Sequence, residues 1–210
     1  MEFGFQADLN KVKETKNTRT KTQTIVTMGL LTAIVVVVQA LAANIRLGMF
    51  SITLVLVPIA VGAALYGWKG GAWLGFVFGL VVMFTDTALF MAINPIGTIL
   101  TVMLKGILAG LAAGLIYKPL AKKNELMAVI VTGVVVPIVN KGIFLLGCAT
   151  FFLDTISSWS ADAGFANTAA YMLFGMTGLN FPIELGVNLI LSTAIVRIIQ
   201  LGRKKLNAGN

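Results

Sequence analysis

The chain has no histidine and a single cysteine, Cys148. Those absences exclude an internal disulfide, His/Cys zinc sites, haem ligation and Cys–His nucleophile pairs. Charge is scarce as well: Asp, Glu, Lys and Arg make up 11 % of 210 residues. No G-x-x-x-x-G-K-[ST] sequence occurs, so the chain lacks the loop that cradles nucleotide phosphates. With no acidic metal cluster either, hydrolase and phosphotransferase chemistry find few residues to work with.

What is present is apolar. Hydrophobic residues are 58 % of the chain, and the mean hydropathy is +0.92. A water-soluble core that apolar would leave no polar shell, so the solvent is lipid. The longest polar segment, Met1–Thr24, is too short to form a core of its own. A net charge of +8 invites a nucleic-acid reading. The basic residues sit at helix ends, however, where they serve topology.

Six spans can be drawn: about Thr24–Ala43, Ile52–Gly67, Gly70–Thr87, Pro95–Tyr117, Leu126–Cys148 and Gly178–Leu201. The first is read as a retained helix although Ala40-Leu41-Ala42 resembles a cleavage site, because the run is long enough to cross and more spans follow. Pro95 suits a first helical turn, where its missing N–H is not needed. The resulting fold class is an all-α membrane protein, a six-helix transmembrane bundle over 24–201. A flexible basic tail over 1–23 precedes it and a basic tail over 202–210 follows.

Lys11, Lys13, Lys16, Arg19 and Lys21 precede the first span, Lys69 joins spans two and three, Lys118, Lys122 and Lys123 join four and five, and Arg203, Lys204 and Lys205 follow the sixth. All fall on one side of an even-numbered bundle. The other side carries Arg46, Asp86, Asp154 and Asp162. The positive-inside rule then places both termini in the cytoplasm of a multi-pass cell-membrane protein. The external connections are Ala88–Asn94 and Ala149–Thr177. Trp159 and Tyr171 in the longer one serve either as an interfacial belt or as part of a lid over an external site.

Gly71, Gly75 and Gly79 form one small-residue stripe, and Gly106, Gly110 and Gly114 another. Such stripes let helix backbones approach closely where lipid gives no hydrophobic drive for association. Gly29 and Ala33 make a shorter pair on span one, beside the bulky run Ile34–Val38, and suit the helix of another protein.

Lys105, Lys141 and Glu184 lie inside spans, where a charge costs about 3 kcal/mol at the bilayer centre. Each must pair, reach water or line a cavity. Asn180, Glu184 and Asn188 share one face of span six, and Asn140 adjoins Lys141 after Pro137. With Asp86 and Arg46 at similar depth, these groups describe a cavity open to the outside. Three readings remain open: a Lys141–Glu184 pair that only fixes helix register, a ligand site, or a proton pathway through Glu184 and Asp86. Lys105 can also snorkel.

The six-span layout, the basic cytoplasmic tail, the small pair in span one and the stretch Asn94–Lys118 (NPIGTILTVMLKGILAGLAAGLIYK) resemble the substrate-binding S components of energy-coupling factor (ECF) vitamin transporters. The resemblance implies a subunit that binds a vitamin from outside and is not an enzyme. It implies docking on a transmembrane T component driven by two ATPase subunits, and toppling in the membrane to deliver cargo. ATP is then used by the partners, and the chain itself needs no cofactor. The family's Ala-x-x-x-Ala docking pattern maps onto Gly29 and Ala33, with Gly in place of the first Ala. Lys141, Lys105 and Arg46 suit a carboxylate, and Glu184 and the asparagines suit hydroxyls or amides. That set makes pantothenate the best guess, with Trp159 and Tyr171 as the clamp a flat ring would need. The alternatives are a self-contained secondary transporter or channel, an integral-membrane enzyme, and a scaffold protein.

Overall fold

The computed structural model describes the backbone of residues 2–47, 50–51, 53, 55–178 and 180–208, and the side chains of 21–45, 53, 55–178, 181–187, 189–191 and 194–201. The chain is helical almost throughout. In order come α1 (Glu2–Ala42), a two-residue antiparallel pair β1 (Arg46–Leu47) and β2 (Phe50–Ser51), α2 (Leu56–Thr85), α3 (Ala88–Ile93), α4 (Pro95–Ala121), α5 (Glu125–Phe151), α6 (Leu153–Asp162), α7 (Thr168–Ala170), a π-helical turn (Tyr171–Met176) and α8 (Asn180–Ala208). Five segments are long and apolar enough to cross a membrane: Lys21–Ala42, Leu56–Thr85, Pro95–Ala121, Glu125–Phe151 and Thr168–Leu191.

The six spans read from the sequence are therefore redrawn. Spans two and three are the two arms of α2, broken at Gly67, whose φ of 72° and ψ of −161° are open to glycine alone. The arms fold back on each other beside the break, with Gly62 against Leu74 and Gly71 against Ala63. The first arm, Leu56–Tyr66, rises only about 16 Å at about 1.5 Å per residue, against a hydrocarbon core of about 30 Å. It begins four residues later than Ile52. The preceding loop consequently dips into the bundle, where Thr53 and Val55 are buried. Irregular backbone at that depth is tolerated because protein, not lipid, surrounds it. The last apolar stretch also begins earlier than Gly178, because the π-helical turn joins it.

The two glycine stripes pack on each other. A methyl group at Gly71 would land on the Gly110 carbonyl oxygen, and one at Gly75 on that of Gly106. One at Gly79 would lie 3.1 Å from the Val102 oxygen. This is the largest helix contact in the bundle, and it brings the second arm of α2 against α4 with no side chain between. Gly147 fits against Thr101 and Gly97 against Phe151, so α5 lies close on α4 as well. Asn94 caps α4 by accepting the Gly97 N–H at 2.9 Å, with Pro95 in the first turn. Asn124 caps α5 by accepting the Met127 N–H at 3.0 Å. At the end of the bundle that carries Lys118, Glu125 accepts from the Tyr117 hydroxyl at 3.1 Å and from the Gln200 amide at 2.9 Å, joining α4, α5 and α8.

Helix α1 buries Leu31, Val35, Gln39 and Ala42, spaced four, four and three apart, and turns Leu30, Ile34, Val37 and Leu41 outward. Gly29 and Ala33 lie on that outward face, and a Cβ at Gly29 would have no neighbour within 4 Å.

The glycine stripes generate a stability prediction. Gly75→Val or Gly106→Val forces two backbones apart, at a cost of about 1–3 kcal/mol, or about 2–12 °C of melting temperature for a chain of this size. Gly29→Val leaves the melt unchanged. Thermal melts of the three variants in detergent, read by size exclusion, check this; equal melts would place the stripes against lipid.

Candidate functional site

The end of the bundle away from Lys118 holds a cavity at the meeting of α1, α2, α4 and α5. Gln39 contributes from α1, Phe78 and Val82 from the second arm of α2, Asp86 from the residue that follows it, and Thr53 from the connection between the two helices. Thr98, Thr101 and Lys105 line it from α4, and Asn140, Lys141, Phe144 and Cys148 from α5. Thr87, Phe90 and Phe152 complete its lining. Its volume is about 50 Å³, room for a few waters. A larger solute fits only after lining side chains move aside.

Glu184 reaches this region from α8 and is 1 % exposed. Its Oε1 lies 3.3 Å from the Lys141 ammonium and accepts the backbone N–H of Thr53 at 2.8 Å. One carboxylate therefore ties α8 to α5 and to the dipping loop. The Glu184 side chain is fully buried, and the Lys141 side chain keeps 14 % of its surface, so removing one partner leaves the other poorly compensated. Glu184 does not itself line the cavity; it holds two groups that do.

Lys105 turns into the cavity. Its ammonium stands over the rings of Phe144, 5.3 Å from the centroid, and Phe78, at 5.8 Å. The quadrupole of each ring attracts the cation. Among the described residues no carboxylate lies within ion-pair distance of it. Three further polar groups are buried without a hydrogen-bond partner among the described residues: Gln39 Oε1, Thr101 Oγ1 and Asn140 Oδ1. All three belong to cavity-lining side chains. A buried polar group left unpaired costs about 1–3 kcal/mol, and three such groups line this one cavity.

Of the residues singled out from the sequence, Lys105, Asp86, Asn140 and Lys141 line this one cavity, and Glu184 stands directly behind it. The side chains of Arg46, Asn180 and Asn188 lie outside the described residues. Trp159 and Tyr171 do not line the cavity. The stretch 149–177 is not an open loop but folds into α6, α7 and the π-helical turn, and its aromatics are used in packing. Trp159 meets Phe90 edge-on at 5.9 Å, and Tyr171 meets Phe165 edge-on at 5.2 Å. These rings sit in a cluster with Cys148, Phe152, Ile156 and Met172, of which Cys148 and Phe152 also line the cavity.

Gln39, Thr53, Thr101 and the four phenylalanines were not singled out by sequence reasoning. Gln39 was within its reach: a lone amide in the run Ile34–Ala42 carries the same burial cost that drew attention to Lys105. Phenylalanine in a span carries no such mark.

The ion pair generates a prediction of its own. Glu184→Ala leaves Lys141 and the Thr53 N–H buried without an anion, a loss of about 3–5 kcal/mol in stability. Adding Lys141→Met restores at least half of it. Urea or thermal denaturation in detergent measures both; a neutral Glu184→Ala would mean the carboxylate is hydrated.

A family model described as "ECF transporter, substrate-specific component" matches residues 23–196, nearly the whole bundle. No curated protein matches the chain.

Proposed function

The chain belongs to the family of ECF transporter substrate-specific components, and from that premise we propose that it captures a water-soluble vitamin from outside the cell and releases it inside. The family is one of transporter components and not of enzymes, and its members work with T and ATPase modules. The proposed assembly is this subunit on a transmembrane T component with two ATPases, which supply the energy; the subunit itself carries no cofactor.

The observation that carries the reading is the cavity. An apolar body gathers two ammonium groups, three buried oxygens without a hydrogen-bond partner and a cluster of phenylalanines around one cavity. Opposite that end lie Lys69, Lys118, Lys122 and Lys123. The positive-inside rule turns the lysine-bearing end to the cytoplasm, with both termini, and the cavity to the outside. A subunit that turns in the membrane needs an uncharged belt, since charge dragged through hydrocarbon is costly; the polar groups here are held inside.

Pantothenate is the proposed cargo. Its carboxylate complements a lysine ammonium, and its amide and hydroxyl groups supply donors to Gln39, Thr101 and Asn140. Its apolar gem-dimethyl portion suits the phenylalanine walls. In this proposal Gly29 and Ala33 form the docking face for the T component, because small residues on an exposed stripe let a second backbone approach.

Isothermal titration of the purified chain in nanodiscs tests the cargo directly, with saturable one-to-one pantothenate binding expected. No binding, together with tight binding of a different vitamin, would reassign the cargo. Gly29→Leu with Ala33→Leu abolishes uptake in cells that express the full transporter and leaves the dissociation constant within about twofold, since that face is about 10 Å or more from the opposite side of a helix-wide body. Loss of binding in that variant would move span one's outer face into the site. Uptake into liposomes by the purified chain alone, down an ion gradient, would favour a secondary transporter instead.

A further inference from the structure

The cavity holds two lysines, and their surroundings differ. Lys141 is already engaged by the Glu184 carboxylate at 3.3 Å, an anion that is itself buried and fixed by the Thr53 N–H. Lys105 has the faces of Phe78 and Phe144 against its ammonium, and among the described residues no carboxylate within ion-pair distance. An ammonium inside an apolar bundle, set against ring faces and with no carboxylate in direct contact among the described residues, is the group most in need of a counter-charge. Beside it in the same cavity are the unpaired oxygens of Gln39 and Asn140, each on a side chain 1 % exposed.

We propose that Lys105, and not Lys141, receives the anionic group of the transported solute, while Gln39 and Asn140 accept from its N–H or O–H donors. The substrate class is a solute with one anionic group and at least one donor, and with an apolar body that lies against Phe78 and Phe144. Lys141 is a positioning residue that keeps α5, α8 and the Thr53 loop in register. This deepens the vitamin-capture reading and rests on it for the natural solute, but the site itself can be probed without any vitamin.

Cys148 makes that possible. It lines the same cavity and is the only cysteine in the chain, so thiol reagents report on this one place. The full chain in nanodiscs is treated with three methanethiosulfonates that differ in charge: a sulfonatoethyl, a trimethylammonioethyl and a neutral hydroxyethyl reagent. Labelling rates are read by intact-mass spectrometry. The sulfonate reacts at least about tenfold faster than the ammonium reagent, by the attraction of a cavity cation for an anionic solute. Lys105→Met reduces that ratio at least fivefold, Lys105→Arg preserves it, and Lys118→Met at the far end leaves it unchanged. In parallel, the affinity for pantothenate is compared with that for its neutral alcohol analogue; the acid's advantage disappears in Lys105→Met.

A ratio near one in the native chain or a ratio unaffected by Lys105→Met would overturn the assignment; if the buried thiol labels with none of the three reagents, the comparison of acid with alcohol decides, and an acid advantage that persists in Lys105→Met overturns it. A sulfonate preference that depends on Lys105, with no binding of pantothenate, upholds the anion site and removes only the named vitamin. Pantothenate binding that is equal in the native chain and Lys105→Met, with an unaltered reagent ratio, upholds vitamin capture and removes Lys105 from it. Size exclusion confirms that each variant folds.

Discussion

Hydrocarbon offers a peptide group or an ammonium no partner, and the architecture of this chain answers that constraint. Glu184 shows it most compactly. Its carboxylate lies in a helix of an apolar bundle, and it joins a lysine on α5 to a backbone N–H in the loop that dips between α1 and α2. Thr53 lies outside any helix, so its buried N–H is satisfied only where another part of the protein supplies an acceptor. The ion pair and the irregular loop thus depend on one another, and together they fix one wall of the cavity.

The opposite wall depends on glycine. The second arm of α2 and helix α4 touch backbone to backbone along Gly71, Gly75, Gly106 and Gly110. Close approach along the stripe lets longer side chains beyond it, Phe78 and Val82 on α2 and Val102 and Lys105 on α4, meet around enclosed space. Small residues at one level of the helix pair and large or charged ones at the next give a tight seam below a polar chamber. The lipid-facing side of α1 is built to different rules. Its buried positions carry Gln39 to the chamber, while its outer face stays apolar apart from the small residues Gly29 and Ala33.

Much of this was legible in the sequence because lipid makes violations conspicuous. Lys105, Lys141, Glu184 and Asn140 stood out against apolar runs, and four-residue spacing identified the glycine seam. Their convergence needed tertiary information in detail: sequence spacing put Lys141 and Glu184 at similar depth, but only the packing of α8 on α5 brings them to 3.3 Å. Thr53 was invisible because its contribution is a backbone N–H, which every residue but proline possesses. Phe78 and Phe144 were invisible because phenylalanine is as natural against lipid as in a cavity. Trp159 and Tyr171 misled for the converse reason. Polar aromatics in a small-residue stretch resemble a lid, yet local helices there commit both rings to packing. The break at Gly67 was placed correctly as a span boundary, but the shortness of the arm before it followed from the dipping loop and not from hydropathy.

The central claim is that a lipid-facing bundle encloses a chamber suited to one small polar solute. Native mass spectrometry of the full chain, purified from cells grown in rich medium and released gently from nanodiscs, tests it most directly. The account predicts a one-to-one complex with a small, water-soluble, anionic compound that is stripped by collisional activation. A chain that carries only lipid and detergent adducts, even when offered a complete mixture of vitamins, would contradict it.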